Sequence, residues 1–289
     1  MCRLLGYATA SFNTSLQEVL GLEATAQYRG LSEIHNDGWG AALVNEPDQP
    51  GNTYDGGEPT PETGMAIYRN TVAARFDSLF DDLASIRARG ALWHLRLASS
   101  HLPLILENQQ PFYASGLSFI HNGDISDANG VNIVHNRDYP ISHNLVEATG
   151  GRSDSAIFFA IVLEYLGFGF ELPESVAQAV RELRCAYPLS SYNCMVQSKD
   201  QFVALHACGR DGTPARVQQV YDHYGRGADA KDYRMLRYRG VKDDEGNVHG
   251  VVVASTGFGQ PAADGWKDLP NNQMIIASNR TGEFRIAKI

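Results

Sequence analysis

The second residue of the chain is a cysteine, and a nucleophile at this position could supply its own base. Cys2 follows Met1, which methionine aminopeptidase removes when the next side chain is small. A free α-amine has a reference pKa of about 7.7–8.0 and a thiol one of about 8.5, so the two groups can exchange a proton near neutral pH. Once Met1 is removed, Cys2 would carry nucleophile and general base in one residue. A buried strand thiol is the competing interpretation.

Three other segments carry groups that suit one small substrate. Arg96 shares a predicted strand face with His94, and a guanidinium can bind a carboxylate bidentately, although a structural ion pair is equally open. Asn122 and Gly123 end a short apolar run and could form an oxyanion hole or a plain turn. Asp154 could cap a helix or hold an α-ammonium. Together with the thiol, these groups match a γ-glutamyl amide.

The predicted elements place these residues at the ends of strands and helices. Ser153 is a predicted N-cap for an apolar helix, and Pro173 is predicted to begin a second helix. Strands at both ends of the chain, with helices between them, predict layered sheets in one α+β unit. Strands are predicted at 2–8, 38–44, 91–98, 117–120, 193–197, 201–207, 234–239, 249–254, 273–278 and 283–288, helices at 75–89 and 154–166, and a polar loop at 124–152.

The composition of the chain argues against several classes of function. The chain has 289 residues, a formal net charge of -9 and no run of Lys or Arg, which argues against nucleic-acid binding. The longest apolar stretch, 156–163, is too short to span a membrane, and with no clear signal peptide we expect a cytoplasmic protein. The spacing of Cys and His predicts no metal site. Cys185, Cys194 and Cys208 lie in apolar stretches and are predicted to be inert core residues.

The chain resembles the class II glutamine amidotransferases, a family of N-terminal-nucleophile hydrolases. The resemblance rests on the order and spacing of short motifs over residues 1–166, and it is greatest to the stand-alone branch that includes ergothioneine-pathway γ-glutamyl hydrolases and glutathione-degrading proteins. The motifs are MCRLLG at 1–6, YRG at 28–30, HNDGWG at 35–40, HLR at 94–96, ENQQPF at 107–112, HNG at 121–123 and SDS at 153–155.

The resemblance implies a fold and a set of roles. The expected fold is α+β, a four-layer αββα sandwich of two antiparallel sheets, with residues 1–289 as a single domain. Cys2 is the implied nucleophile, with Asn122 and Gly123 stabilising the oxyanion. Arg96 and Asp154 are the implied ligands of the substrate carboxylate and ammonium. His94 and Ser99 are expected beside them in the substrate pocket, whose wall departs from the synthase branch at 97–100.

Three functions remain open at this point. The favoured one is hydrolysis of glutamine or another γ-glutamyl small molecule through a thioester on Cys2, without a cofactor or metal. The second is a glutaminase subunit that delivers ammonia to a separate synthase partner, because no synthase domain follows in residues 167–289. The third is a non-catalytic subunit that binds an amino acid. The retained Cys2, Asn122 and Gly123 argue against that third reading.

Overall fold

Two antiparallel sheets form the centre of the protein. The computed structural model describes residues 2–10, 14–44, 64–98, 102–136 and 138–289. The strands are β1 (Arg3–Thr9), β2 (Trp39–Val44), β3 (Met65–Asn70), β4 (Gly90–Leu95), β5 (Phe112–Ala114), β6 (Leu117–Asn122), β7 (Asn193–Gln197), β8 (Gln201–His206), β9 (Leu236–Lys242), β10 (Val248–Ser255), β11 (Lys267–Asp268), β12 (Gln273–Ser278) and β13 (Phe284–Lys288). They form a seven-stranded sheet, β11-β9-β10-β1-β4-β2-β3, and a six-stranded sheet, β13-β12-β8-β7-β6-β5.

Helices cover the outer face of each sheet. They are α1 (Leu16–Leu20), α2 (Leu22–Gly30), α3 (Leu79–Ser85), α4 (His143–Ala148), α5 (Asp154–Gly167), α6 (Leu172–Ala186) and α7 (Ala215–His223). Residues of α1 to α3 pack on the seven-stranded sheet, as Phe80 does against Trp93. Residues of α5 and α6 pack on the six-stranded sheet, as Phe158 does against Phe119.

A third apolar layer lies between the sheets. Leu4 and Leu92 from the seven-stranded sheet meet Ile120 and Met195 from the other. Side chains along a strand point alternately to its two faces. Cys2 lies two residues before Leu4, and Asn122 lies two residues after Ile120, so both face the layer between the sheets. The order of helices, sheet, sheet and helices confirms the predicted four-layer αββα sandwich.

The predicted helix over 75–89 is too long. The α-helix covers only Leu79–Ser85, and Phe76 is 72% exposed. The carboxylate of Asp77 explains the late start, because its Oδ1 accepts the Leu79 N–H while Oδ2 accepts hydrogen bonds from Trp39 and Tyr68. Asp77 is thereby held on the sheet, and the helix begins after it.

Other expectations also need correction. The segment predicted as loop, 124–152, contains α4, and the C-terminal third contains α7 as well as strands. Cys194 is buried as predicted, but Cys185 is exposed and Cys208 is partly exposed. Cys185 lies on α6 two residues after the buried Leu183, which turns it roughly 200° away from the apolar face.

Candidate active site

The candidate site lies where the inner faces of the two sheets meet at one edge. Cys2 immediately precedes β1, and Asn122 is the last residue of β6 in the opposite sheet. The Cys2 N–H donates a 2.8 Å hydrogen bond to Asn122 Oδ1, and both residues are buried. The amide nitrogen of Asn122 is buried without an acceptor in the described part of the chain. The Asn122 side chain therefore contacts the backbone of Cys2 and still has a donor to offer.

The Cys2 thiol lies in an environment that favours the thiolate. Burial disfavours the charged form, but the positive charges of the Met1 amine and of His94 favour it, so that with Met1 attached the pKa of Cys2 is lowered to about 6. The Cys2 Sγ lies 3.8 Å from the Leu97 carbonyl oxygen. His94 is fully buried on β4, and neither ring nitrogen has a partner at hydrogen-bond length among the described residues.

Neighbouring atoms pack so closely around residue 123 that only a glycine fits there. A Cβ at this position would lie 1.9 Å from the Ser191 carbonyl oxygen and 2.3 Å from His121 Nε2. His121 donates from Nε2 to the same carbonyl, 2.9 Å away, and burial lowers the pKa of its ring. The neutral ring then accepts at Nδ1 from the Ser155 hydroxyl at 2.9 Å. His121 therefore ties the end of β6 to the start of α5.

Asp154 is the first residue of α5 and is 2% exposed. Its Oδ2 accepts hydrogen bonds from the Ile125 N–H and from Asn132 Nδ2, and its Oδ1 accepts one from the Ser155 N–H. Ser153 caps the helix through its hydroxyl, which accepts the Ala156 N–H. A carboxylate offers about four acceptor positions, so one on Oδ1 is left for a ligand.

Arg96 follows β4 and is 4% exposed. Its Nη2 donates to the Pro103 carbonyl oxygen at 3.3 Å, and its Nη1 has no partner in the described residues. Burial lowers the pKa of Arg96, while the charges of Cys2, Asp37 and Asp154 raise it. The guanidinium is therefore near enough to Cys2 and Asp154 for their charges to interact, and its Nη1 is a buried donor without an acceptor in the described part of the chain.

Asp37 and Gln109 were not predicted as site residues, but they hold in place the segments next to β2 and β4. Asp37 Oδ2 accepts the Ala98 N–H at 2.8 Å, and the Asp37 carbonyl accepts Gln109 Nε2 at 2.8 Å. Gly38 has a φ of 119°, and a Cβ there would lie 2.6 Å from Gln109 Nε2. The HNDGWG and ENQQPF motifs thus meet beside Arg96, which their separation in sequence could not reveal.

Arg3 anchors the start of β1, next to Cys2. It is 1% exposed and donates to His35 Nε2 at 3.0 Å, to the Tyr221 hydroxyl at 2.6 Å and to the Thr256 carbonyl at 3.2 Å. Each of the three guanidinium nitrogens thus has a buried partner, and such a network restricts the position of the segment strongly. The motif MCRLLG contained this residue, but nothing in the sequence paired it with α7.

The structure therefore brings together Cys2, Asn122, Gly123 and His94, and it places Arg96 and Asp154 close enough for their charges to interact. Ser99, predicted to line the pocket, lies outside the described residues. No group of three or more His, Cys, Asp or Glu side chains placed to hold a metal occurs in the described ranges. No helix of the described chain is long and apolar enough to cross a membrane.

The family model for glutamine amidotransferases class-II matches residues 1–188, well over half of the chain. The chain belongs to the class II glutamine amidotransferase family. The comparison with curated protein sequences gave no match. Family membership confirms the resemblance read from the motifs, and it implies amidohydrolase chemistry.

Solved structures of class II amidotransferases share the fold. A glutamine aminotransferase class-II domain protein from Silicibacter pomeroyi is 17% identical with a TM-score of 0.56, and 98% of each chain is covered. A predicted glutamine amidotransferase from Pseudomonas aeruginosa is 16% identical with a TM-score of 0.51 and the same coverage. The match to glutamine phosphoribosylpyrophosphate amidotransferase from B. subtilis, 14% identical with a TM-score of 0.56, covers 99% of this chain but 49% of that one.

Proposed function

We propose that the chain hydrolyses a γ-glutamyl amide through a γ-glutamyl thioester on Cys2. The observation that carries the proposal is the Asn122 side chain, which accepts the Cys2 N–H and keeps a buried amide nitrogen without an acceptor. A buried donor left open next to a nucleophile suits a charge that exists only during the reaction. The positive charge of His94 beside the thiol favours the thiolate and supports the same assignment.

The reaction has two halves. The Cys2 thiolate attacks the γ-carbonyl, and Asn122 Nδ2 with the Gly123 N–H stabilises the oxyanion. The C–N bond breaks, the amine leaves with a proton, and the thioester forms. Water then attacks the thioester, which releases glutamate and regenerates the thiol. The substrate's α-carboxylate is assigned to Arg96 and its α-ammonium to the open position on Asp154.

The α-amine of Cys2 is the proposed general base, and this requires removal of Met1. A free amine at the position of the present Cys2 nitrogen would lie 2.8 Å from Asn122 Oδ1. That contact would hold the amine close to its own thiol. With Met1 attached, the nitrogen belongs to an amide and cannot accept a proton. Maturation is therefore part of the proposal.

Intact mass of the purified protein, before and after treatment with 6-diazo-5-oxo-norleucine, tests the proposal. We expect loss of Met1 and a single adduct on the peptide that begins with Cys2, together with glutamate release from γ-glutamyl amides. The Cys2→Ala variant should lose both the adduct and turnover. An adduct on Cys185 or Cys208 would contradict the assignment. Retained Met1 with no adduct would favour an amino-acid-binding subunit instead.

A further inference from the structure

Three consecutive polar side chains, Asn108, Gln109 and Gln110, are buried beside the candidate site. Their exposed fractions are 1%, 0% and 5%. Burial of a carboxamide costs free energy unless the group is hydrogen-bonded. Each of these side chains bonds a separate segment of the chain, and the segment 108–110 thereby touches several parts of the site at once.

Asn108 connects the two groups that are proposed to bind the amino-acid end of the substrate. Its Oδ1 accepts the Arg152 N–H at 2.9 Å, two residues before Asp154. Its Nδ2 donates to the Pro103 carbonyl oxygen at 3.3 Å, and Arg96 Nη2 donates to the same oxygen at 3.3 Å. A hydrogen-bonded path therefore runs from Arg96 through Pro103 and Asn108 to the segment that begins α5.

Gln110 extends the edge of the six-stranded sheet with its side chain. In the pairing of β5 with β6, Phe112 lies opposite Phe119, so the same register brings Gln110 opposite His121. A regular ladder would join the His121 N–H to the Gln110 carbonyl. This carbonyl faces the other sheet instead, since a Cβ at Gly40 would lie 2.3 Å from its oxygen. Gln110 Oε1 accepts the His121 N–H in its place, at 2.6 Å.

The contact of Gln110 lies one residue before Asn122, the proposed oxyanion donor. Asn122 is the last residue of β6, so the position of its amide follows the position of the strand end. On the other edge of β6, strand β7 pairs with it up to Asn122, which lies opposite Asn193. The end of β6 is therefore fixed from both sides, by β7 and by the Gln110 side chain.

Close packing leaves the segment around Gln109 little room to move. A Cβ at Gly38 would lie 2.7 Å from Gln109 Cδ, and a Cβ at Gly151 would lie 2.5 Å from Phe112 Cε1. Closely packed interiors transmit a displacement of one group to the next. The loss of one contact in this segment should therefore shift the group at its other end.

We propose that Asn108 and Gln110 are positioning residues. Asn108 sets the distance between Arg96 and Asp154, and hence the fit of a substrate that carries both an α-carboxylate and an α-ammonium. Gln110 sets the place of the Asn122 amide, and hence the stabilisation of the oxyanion. The inference rests on the proposed γ-glutamyl hydrolysis and assigns roles to two residues outside the proposed catalytic and substrate-binding set.

The variant Asn108→Ala tests the first role. A misplacement of about 1 Å can cost about 10²-fold. We expect KM to rise at least about tenfold for the γ-glutamyl amide that the unmodified enzyme hydrolyses fastest, with kcat changed less than about threefold. The inhibition constant of glutamate, which carries both α-groups, should rise by the same factor. That of glutarate, which lacks the α-ammonium, should change less than about threefold, because a ligand with one group can follow Arg96 alone.

The variant Gln110→Met tests the second role. Methionine keeps the length of the side chain and removes the acceptor of the His121 N–H. We expect kcat and kcat/KM to fall together by about 10–100-fold, because the oxyanion forms only during the reaction. KM and the inhibition constant of glutamate should not change. The two variants should thus affect different kinetic constants.

The variant Gln197→Met is the matched control for the loss of a buried carboxamide. Gln197 is fully buried at the end of β7 away from Asn122, and its Nε2 donates to the Tyr7 carbonyl at 3.1 Å. The control should unfold at a lower temperature and keep its kinetic constants. If Asn108→Ala does not fold, Asn108→Ser takes its place, because its hydroxyl can bind a water in the vacated space, and the same pattern is expected.

The outcomes separate the two proposals. Equal losses for glutamate and glutarate in the Asn108 variant, a raised KM in Gln110→Met or unchanged kinetic constants in either would overturn the inference. So would kinetic changes of the same size in Gln197→Met, since a general loss of packing would then explain them. Each of these results leaves γ-glutamyl hydrolysis intact. Failure of the unmodified enzyme to hydrolyse any γ-glutamyl compound would refute the proposed function and this inference with it.

Discussion

Replacement of Asn122 by alanine tests the centre of the proposed mechanism. The substitution removes two groups, the Oδ1 that accepts the Cys2 N–H at 2.8 Å and the buried Nδ2 that has no acceptor among the described residues. The first group acts in the resting enzyme and the second only when the oxyanion forms. The variant should therefore show one effect on stability and a separate effect on rate.

The two magnitudes follow from these contacts. Loss of an oxyanion donor typically lowers kcat by about 10²–10³-fold, which is about 2.7–4 kcal/mol of transition-state stabilisation. A buried N–H left without its acceptor costs about 1–3 kcal/mol of folding free energy. A protein of this size should lose several degrees in Tm for that cost. We therefore expect a folded variant that turns over far more slowly.

The assay is steady-state release of glutamate, combined with thermal unfolding. A donor that acts only in the transition state should lower kcat and kcat/KM equally, with KM unchanged. Ser118→Ala is the matched control, because Ser118 lies on the same strand and its buried hydroxyl donates to the Gln197 carbonyl at 3.3 Å. The control should lose about 1 kcal/mol of stability and keep its kcat. A raised KM with normal kcat in Asn122→Ala would refute the oxyanion role.

Three further changes probe the rest of the site. In the chain that retains Met1, alkylation of Cys2, followed by mass spectrometry, should rise as pH increases through about 6, whereas Cys194, whose pKa burial raises, should stay unmodified. His94→Gln removes a positive charge beside the thiol and should move that midpoint to higher pH; an unmoved midpoint would exclude His94 from thiol activation. Arg96→Lys should raise KM by about 10–100-fold, because the planar fork is lost, and an unchanged KM would remove Arg96 from the site. Asp154→Asn should abolish discrimination between γ-glutamyl amides and glutaryl amides that lack the α-amine, and retained discrimination would place the ammonium elsewhere.

Most strands and the long helices α5 and α6 could be predicted from local patterns, whereas β3, β5 and β11 were not predicted. An apolar run indicated β1, alternation indicated β4, and Ser153 with the apolar run after it indicated α5, because these features depend on neighbours in sequence. The extent of α3 could not be predicted. Its start depends on the Asp77 carboxylate, which is held by Trp39 and Tyr68 on strands that are distant in the chain.

The same distinction between local patterns and distant contacts applies to the candidate site. The proposed site residues Cys2, Arg96, Asn122 and Asp154 lie in short motifs, so they could be proposed from residue type and spacing. The contacts that connect these residues could not be named, because they join separate segments. The hydrogen bond from Arg3 to Tyr221 spans 218 residues, for example, and links the strand beside the nucleophile to a helix that the sequence did not predict.

The cavity that opens beside Asn122 and Gly123 has no sequence motif at all. Three arginines that line it come from the loop after β8, from the first turn of α7 and from the segment before β9, and each one alone is an ordinary surface residue. Only the fold places Arg210, Arg216 and Arg234 around one cavity of about 520 Å³. A cavity whose lining comes from segments so far apart in sequence can be found only in the folded protein.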